Sequence, residues 1–156
     1  MLSKGGAQGD RVAILMSHDA PQIAALLAIL KAGRIAVTLN PSDPAGRLSR
    51  VVDNAQARLI LTDEIYRPLA AEVAGRDADV LGFHEGANGQ AANPGVSVSP
   101  DDVAALTYTS GSTGVPKAVM QTHRQIFSAA FWQSHIMELV PETRSRSSLQ
   151  SVEARG

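Results

Sequence analysis

The chain contains no cysteine. Disulfides, thiolate catalysis and cysteine zinc sites are therefore excluded, and the composition suits a reducing, cytoplasmic setting. No apolar run approaches the ~20 residues that span a bilayer. The opening Met1-Leu2-Ser3-Lys4-Gly5-Gly6 also lacks the apolar stretch of a signal peptide. A net charge of −1 leaves no basic footprint, so neither nucleic acid nor an anionic membrane is an expected partner. His18, His84 and His135 are scattered and read as surface or capping residues. No histidine or carboxylate cluster has metal-ligand spacing, so no dedicated metal site is expected. Two familiar nucleotide loops are missing as well. Walker A needs four residues between its glycines with Lys-Ser/Thr directly after, and the dinucleotide loop reads Gly-x-Gly-x-x-Gly. What is present is ordinary globular material. Apolar residues at 44% and charged residues at 19% of 156 are enough for one domain that buries roughly two-thirds of its unfolded surface.

Short apolar runs alternate with helical patterns along the chain. Arg11 to Met16 reads as a buried strand. Asp19 is placed to cap the next helix, Pro21 fits its first turn, and Gly33 stops it in a left-handed position. From Ile23 to Leu30 that helix is apolar on nearly every side and is expected to lie buried against a sheet. Ile35 to Leu39 is a second strand. Leu48, Val51, Val52 and Ala55 then fall at i, i+3, i+4 and i+7, the stripe of an amphipathic helix. Ala57 to Thr62 is strand again, and Asp63 or Glu64 opens a helix that buries Leu69, Ala70 and Val73 and ends near Gly75. Val80 to Phe83 is a short, weaker strand, and residues 84–100 read as a long surface loop. Asp101-Asp102 leads into a further strand. Beyond Thr122-His123 a helix puts Phe127, Ala130 and Phe131 on one face, and these with Trp132 read as packing residues. The alternation predicts an α/β fold: a largely parallel sheet covered by helices, with ligand at the carboxyl ends of the strands.

At one such end stands Tyr108-Thr109-Ser110-Gly111-Ser112-Thr113-Gly114-Val115-Pro116-Lys117, entered by the β-favouring run Val103 to Tyr108 and left by Ala118-Val119-Met120. The glycines allow positive φ and close approach of backbone to a ligand. Bare amides with serine and threonine hydroxyls form an anion-binding concavity, and lysine adds a mobile cation. Polyphosphate uses all of these at once.

This run resembles, nearly letter for letter, the phosphate-binding signature of the adenylate-forming (AMP-binding) superfamily, usually Tyr-Thr-Ser-Gly-Ser/Thr-Thr-Gly-x-Pro-Lys-Gly-Val. The superfamily includes acyl-CoA synthetases, luciferases and the adenylation domains of nonribosomal peptide synthetases. Gly9 to Ala13, Leu30 to Pro41, Arg47-Leu48 and Leu59 to Asp63 are similar to family segments in family order, from about Gly9 to about Glu142. The resemblance implies part of the large N-terminal domain of such an enzyme over residues 1–142, with residues 143–156 as a divergent tail expected to be disordered. It also implies ATP-dependent activation of a carboxylic or amino acid. The carboxylate attacks the α-phosphate, giving an acyl-adenylate and pyrophosphate, and a thiol then takes the acyl group. That thiol belongs to CoA or to carrier-protein phosphopantetheine, and Mg2+ accompanies ATP in a complete enzyme. By position, Thr109, Ser110, Gly111, Ser112, Thr113, Gly114 and Lys117 hold the phosphates, with Lys117 and Thr113 in catalytic roles. His123 resembles a common family Thr-His, and its structural and substrate-pocket roles stay open.

Three departures qualify the resemblance. Ala118 stands where glycine is usual, which is expected to displace the loop's exit slightly. Ser112 rather than threonine leans towards the peptide-synthetase branch. The family's adenine and ribose segments, acidic magnesium residue and C-terminal lobe follow this motif and have no counterpart here. The expectation is a truncated or frameshifted fragment, inactive alone, with an exposed strand edge. The alternatives are a nucleotide-phosphate-binding module without turnover and an inactive remnant.

Overall fold

The computed structural model describes residues 7–86, 93–109 and 116–136. The tail at 143–156 lies outside them. The chain divides into two units, residues 1–123 and 124–156.

The first unit is a six-stranded sheet in the order β4-β3-β1-β2-β5-β6. Its strands are β1 (Arg11–Leu15), β2 (Ile35–Thr38), β3 (Leu59–Thr62), β4 (Asp79–Gly82), β5 (Val103–Thr109) and β6 (Lys117–Thr122). The pairs among β1 to β5 are parallel, and β5 with β6 is antiparallel. Each strand lies within one residue or two of the apolar run that announced it. The helices are α1 (Ala20–Lys31), α2 (Ala45–Ala55), α3 (Arg67–Ala74) and the single turn α4 (Phe83–Gly86). The last of these occupies the start of the expected surface loop.

The chain winds from β1 through α1 to β2, then reverses through α2 to β3 and α3 to β4. A right-handed crossover demands that the helix change faces when the direction reverses. The core obeys. Leu48, Val51, Val52 and Ala55 of α2 and Ala70, Val73 and Ala74 of α3 pack with Ala13, Leu15, Val37 and Ile60 on one face. On the other, Ala25 and Ile29 of α1 pack with Val12, Ile14, Ala36 and Leu61. All four stripe residues of α2 are buried, and each Leu or Val so buried contributes about 1.5–3 kcal/mol.

Three expectations need correction. Helix α1 is not buried all round, because only one side of a helix can touch a single sheet: Ile23 is 61% and Leu27 54% exposed. Asp19 occupies the N-cap position, but its carboxylate makes no cap hydrogen bond; its backbone carbonyl accepts from Gln22 and Ile23 instead. Helix α3 begins at Arg67 rather than at Asp63 or Glu64. Gly33 does take the left-handed conformation, at φ +66°.

Thr62 is fully buried, and its hydroxyl donates to the Leu15 carbonyl at 2.8 Å, joining β3 to β1. Thr62→Val keeps the shape and removes the donor. The expected cost is about 1 kcal/mol, read as a lower urea midpoint at unchanged slope.

The second unit carries all but the first residue of α5 (His123–Ile136), in which Phe131 stacks at 4.5 Å on His135, one turn on, and meets Trp132 edge-on at 6.3 Å. None of α5's described residues is buried, so Phe127, Phe131 and Trp132 are exposed rather than core.

Candidate functional site

Strand β5 runs parallel to β2 and ends with Thr109 at the sheet's carboxyl edge. Lys117 opens β6 and is in register with Thr109 across the antiparallel pair. Both side chains are exposed. The two ends of the Ser-Gly loop are thus held opposite one another, at the edge where an open α/β sheet binds ligands. Ser110, Gly111, Ser112, Thr113 and Gly114 lie outside the described residues.

Strand pairing leaves the loop in unbroken register: Thr109 with Lys117, Tyr108 with Ala118, Thr107 with Val119. The irregularity in this pair is at the far end, between Val103 and Ala105. Ala118 is therefore taken up as an ordinary strand residue. A side-chain bond from the Thr107 hydroxyl to Gln121 Oε1 at 3.0 Å braces the hairpin.

Tyr108 sets β5 against the helical layer. Its ring packs on the α2 and α3 core, and its hydroxyl donates to Asn54 Oδ1 of α2 at 2.8 Å. Burial pushes the phenol up from its ordinary value, with Arg11 acting weakly the other way, so Tyr108 stays a neutral donor at pH 7. His123 donates its amide to the Asp102 carbonyl at 3.1 Å, closing the foot of the hairpin, and Asp102 Oδ2 accepts from the Ser99 amide. Asp102 is thus the hinge of the entry turn that the sequence suggested.

A second contact at the carboxyl edge had no signal in the sequence. Winding reverses between β1 and β3, which makes the gap between their carboxyl ends the topological switch point, a usual place for a ligand crevice. Here Asp63 closes it. Its Oδ2 accepts from the amide and the hydroxyl of Ser17, both at 2.8 Å, and its Oδ1 accepts from the Tyr66 amide at 2.9 Å. Partial burial raises the carboxyl's pKa, but these bonds and one from the Ile65 amide outweigh it, and the net shift is downward. At the hairpin root, Thr109 and Lys117 offer a hydroxyl and a cation to solvent.

Among the described residues no three His, Cys, Asp or Glu side chains gather where they could hold a metal ion. No described helix is long and apolar enough to cross a membrane.

The profile of the AMP-binding enzyme family matches residues 1–150. The chain belongs to that family. It is 37% identical over 134 residues to phosphinothricin tripeptide synthetase PhsC of Streptomyces viridochromogenes, across 82% of this chain and 12% of PhsC. It is 36% identical over 141 residues to the 3-hydroxybenzoate–CoA/4-hydroxybenzoate–CoA ligase of Thauera aromatica, across 80% of this chain and 27% of the ligase. In three dimensions it resembles the N-terminal subdomain of NpsA from Klebsiella oxytoca in complex with 3-hydroxybenzoyl-AMSN. The TM-score is 0.67 at 30% identity, over 79% of this chain and 30% of that one. This AMP-binding chain therefore spans about an eighth to a third of the length of these relatives and shares the α/β architecture of the NpsA N-terminal subdomain.

Proposed function

We propose that this chain supplies the triphosphate-binding hairpin of an ATP-dependent ligase that activates a carboxylic or amino acid for transfer to a thiol. The observation that carries the reading is the Thr109–Lys117 pair, which brackets the Ser-Gly loop at the carboxyl edge of a parallel sheet. Thr109, Ser110, Gly111, Ser112, Thr113, Gly114 and Lys117 contact the β- and γ-phosphates. ATP as substrate brings the reactive anhydride. The chain's part is electrostatic: amides, hydroxyls and the Lys117 ammonium, fixed by the hairpin, meet the charge that moves onto pyrophosphate as the carboxylate attacks. Lys117 and Thr113 carry the largest share. The residues suit the phosphates; no ligand set for Mg2+ is assigned to this stretch. CoA or carrier-protein phosphopantetheine serves as acceptor, and the absence of cysteine fits a cytoplasmic enzyme.

Titration with a fluorescent ATP analogue tests the reading. Phosphate contacts by themselves are expected to give an affinity of about millimolar, or ~4 kcal/mol. Lys117→Ala is expected to abolish binding with the melting temperature unchanged, because Lys117 is exposed and makes no ion pair among the described residues. A variant that binds like the parent removes the phosphate role.

The same bracket of Thr109 and Lys117 around the loop also suits a second reading, a module that holds nucleotide phosphates without turnover. Acid-dependent pyrophosphate exchange by the chain would exclude that module. Binding with no exchange supports it.

A further inference from the structure

The opposite edge of the sheet has a chemistry of its own. At the amino ends of β1 and β3, Asp10, Arg11, Ala57 and Arg58 face the carboxyl-terminal turns of α2 and α3, and a cavity of about 540 Å³ opens between them. This is within the range of small-molecule sites, roughly 300–1,000 Å³. Its floor is aliphatic and buried, from Val52, Ala57 and Ala74. Its rim is charged and exposed, from Arg11, Arg58, Asp53 and Asp77.

The strand register puts the two arginines side by side. Val12 pairs with Leu59, so the residues just before them, Arg11 and Arg58, are neighbours on adjacent strands. Val12 and Leu59 pack in the α1 layer, so strand alternation turns both arginines towards α2 and α3. Like charges held next to each other across a ladder are destabilising unless something lies between them. Asp10 also lines the cavity, its carboxylate accepting from the Ala7 amide, and the ion pairs Arg47–Asp43, Arg67–Glu64 and Arg67–Glu85 involve none of Arg11, Arg58, Asp53 or Asp77. The facing wall has the opposite sign. Asp53 and Asp77 stand beside the carboxyl ends of α2 and α3, where helix dipoles add negative potential.

Two adjacent guanidiniums alone would suit a phosphate dianion, but the carboxylates across the cavity oppose one. A ligand that carries its own cation satisfies both walls. We propose that this cavity binds a free aliphatic α-amino acid. Its carboxylate lies on Arg11 and Arg58, its ammonium towards Asp53, Asp77 and the end of α2, and its side chain on Val52, Ala57 and Ala74. Thr109 and Lys117 are at the other edge of the sheet, so this site is separate from the phosphate hairpin and stands or falls without it.

Amide NMR of the full chain at constant ionic strength tests it, with four probes: L-leucine, N-acetyl-L-leucine, L-leucine methyl ester and inorganic phosphate. Millimolar L-leucine is expected to give saturable shifts confined to Arg11, Asp53, Gln56, Arg58 and Asp77. The acetylated form lacks the cation and the ester lacks the anion, so each is expected to bind about tenfold weaker or less. Arg58→Gln is expected to lose the response and keep the ligand-free melting temperature; Asp77→Asn gives a second variant on the other wall. No saturable shift with L-leucine overturns the proposal. So does equal binding of phosphate or of either capped form, or a response in both variants like the parent's.

Discussion

Gly33→Val is expected to lower stability by about 3 kcal/mol, roughly 6–12 °C in melting temperature for a domain of this size. Two costs combine. Gly33 ends α1 at φ +66°, a conformation that costs a residue with a Cβ about 1–2 kcal/mol and a β-branched one more. The position is also crowded. A Cβ there would lie 2.7 Å from Val96 Cγ1 and 3.1 Å from Gln8 Cγ, against the segment that crosses the amino edge of β1 and β2. Backbone bonds fix the corner in place: Gly9 donates to the Gly33 carbonyl at 2.8 Å, and Gly33 donates to Leu30. Val96 is β-branched and short, so it has little room to swing away. Thermal melts of Gly33→Asn, Gly33→Ala and Gly33→Ala with Val96→Ala separate the terms. Asparagine tolerates the left-handed region best, and the Val96 truncation relieves the clash without touching the backbone strain. If the double variant gains nothing over Gly33→Ala, the loss belongs to the backbone alone.

That glycine shows what kind of information the chain carries in plain view. A helix stop, an i, i+3, i+4, i+7 stripe and a short apolar run are local patterns, so α2, Gly33 and the parallel strands could be read from neighbours in sequence. The antiparallel turn of β6 was also within reach, because the connection from Thr109 to Lys117 is too short for a parallel crossover of ten or more residues. Burial of α1 was not. Its apolar residues run all round, and the residues that face a sheet are decided by a partner, not by the helix. The side-chain ties between Asp63 and Ser17, and between Tyr108 and Asn54, join positions 46 and 54 residues apart. No local pattern signals them. The two arginines at the amino edge are legible only once the β1–β3 register is known. At the phosphate hairpin the reverse holds: Thr109 and Lys117 belong to the motif itself, and the register places them opposite one another.

Asp63→Asn should cost about 2 kcal/mol near neutral pH and progressively less in acid. The carboxylate accepts from the Ser17 amide, the Ser17 hydroxyl and the Tyr66 amide, and bonds to a charged acceptor are worth about 1.5–3 kcal/mol where they are shielded from water. Partial exposure keeps the sum well below three times that figure. Asparagine retains one oxygen acceptor and turns an amide donor towards groups that also donate, so at least one of the three bonds is lost. The pH dependence follows from the sign of the shift. Burial pushes the Asp63 carboxyl up, the hydrogen bonds pull it further down, and its folded pKa lies below the ordinary 3.8. A depressed acid adds stability that is fully present above its unfolded pKa and drains away as pH falls through the folded one. The difference in melting temperature between parent and Asp63→Asn is therefore constant from neutral pH down to about pH 5 and shrinks below about pH 4. A difference that stays flat down to pH 2.5 would mean that Asp63 is not the anion that ties β3 to the β1 turn. The same tie has a structural consequence at the carboxyl edge. With it in place the β1–β3 gap is tied across; with it lost, Ser17 and the turn after β1 are released next to the strand ends. Asp63→Asn should accordingly leave ATP-analogue binding intact at pH 7, because Thr109 and Lys117 are held by β5–β6 pairing and not by Asp63.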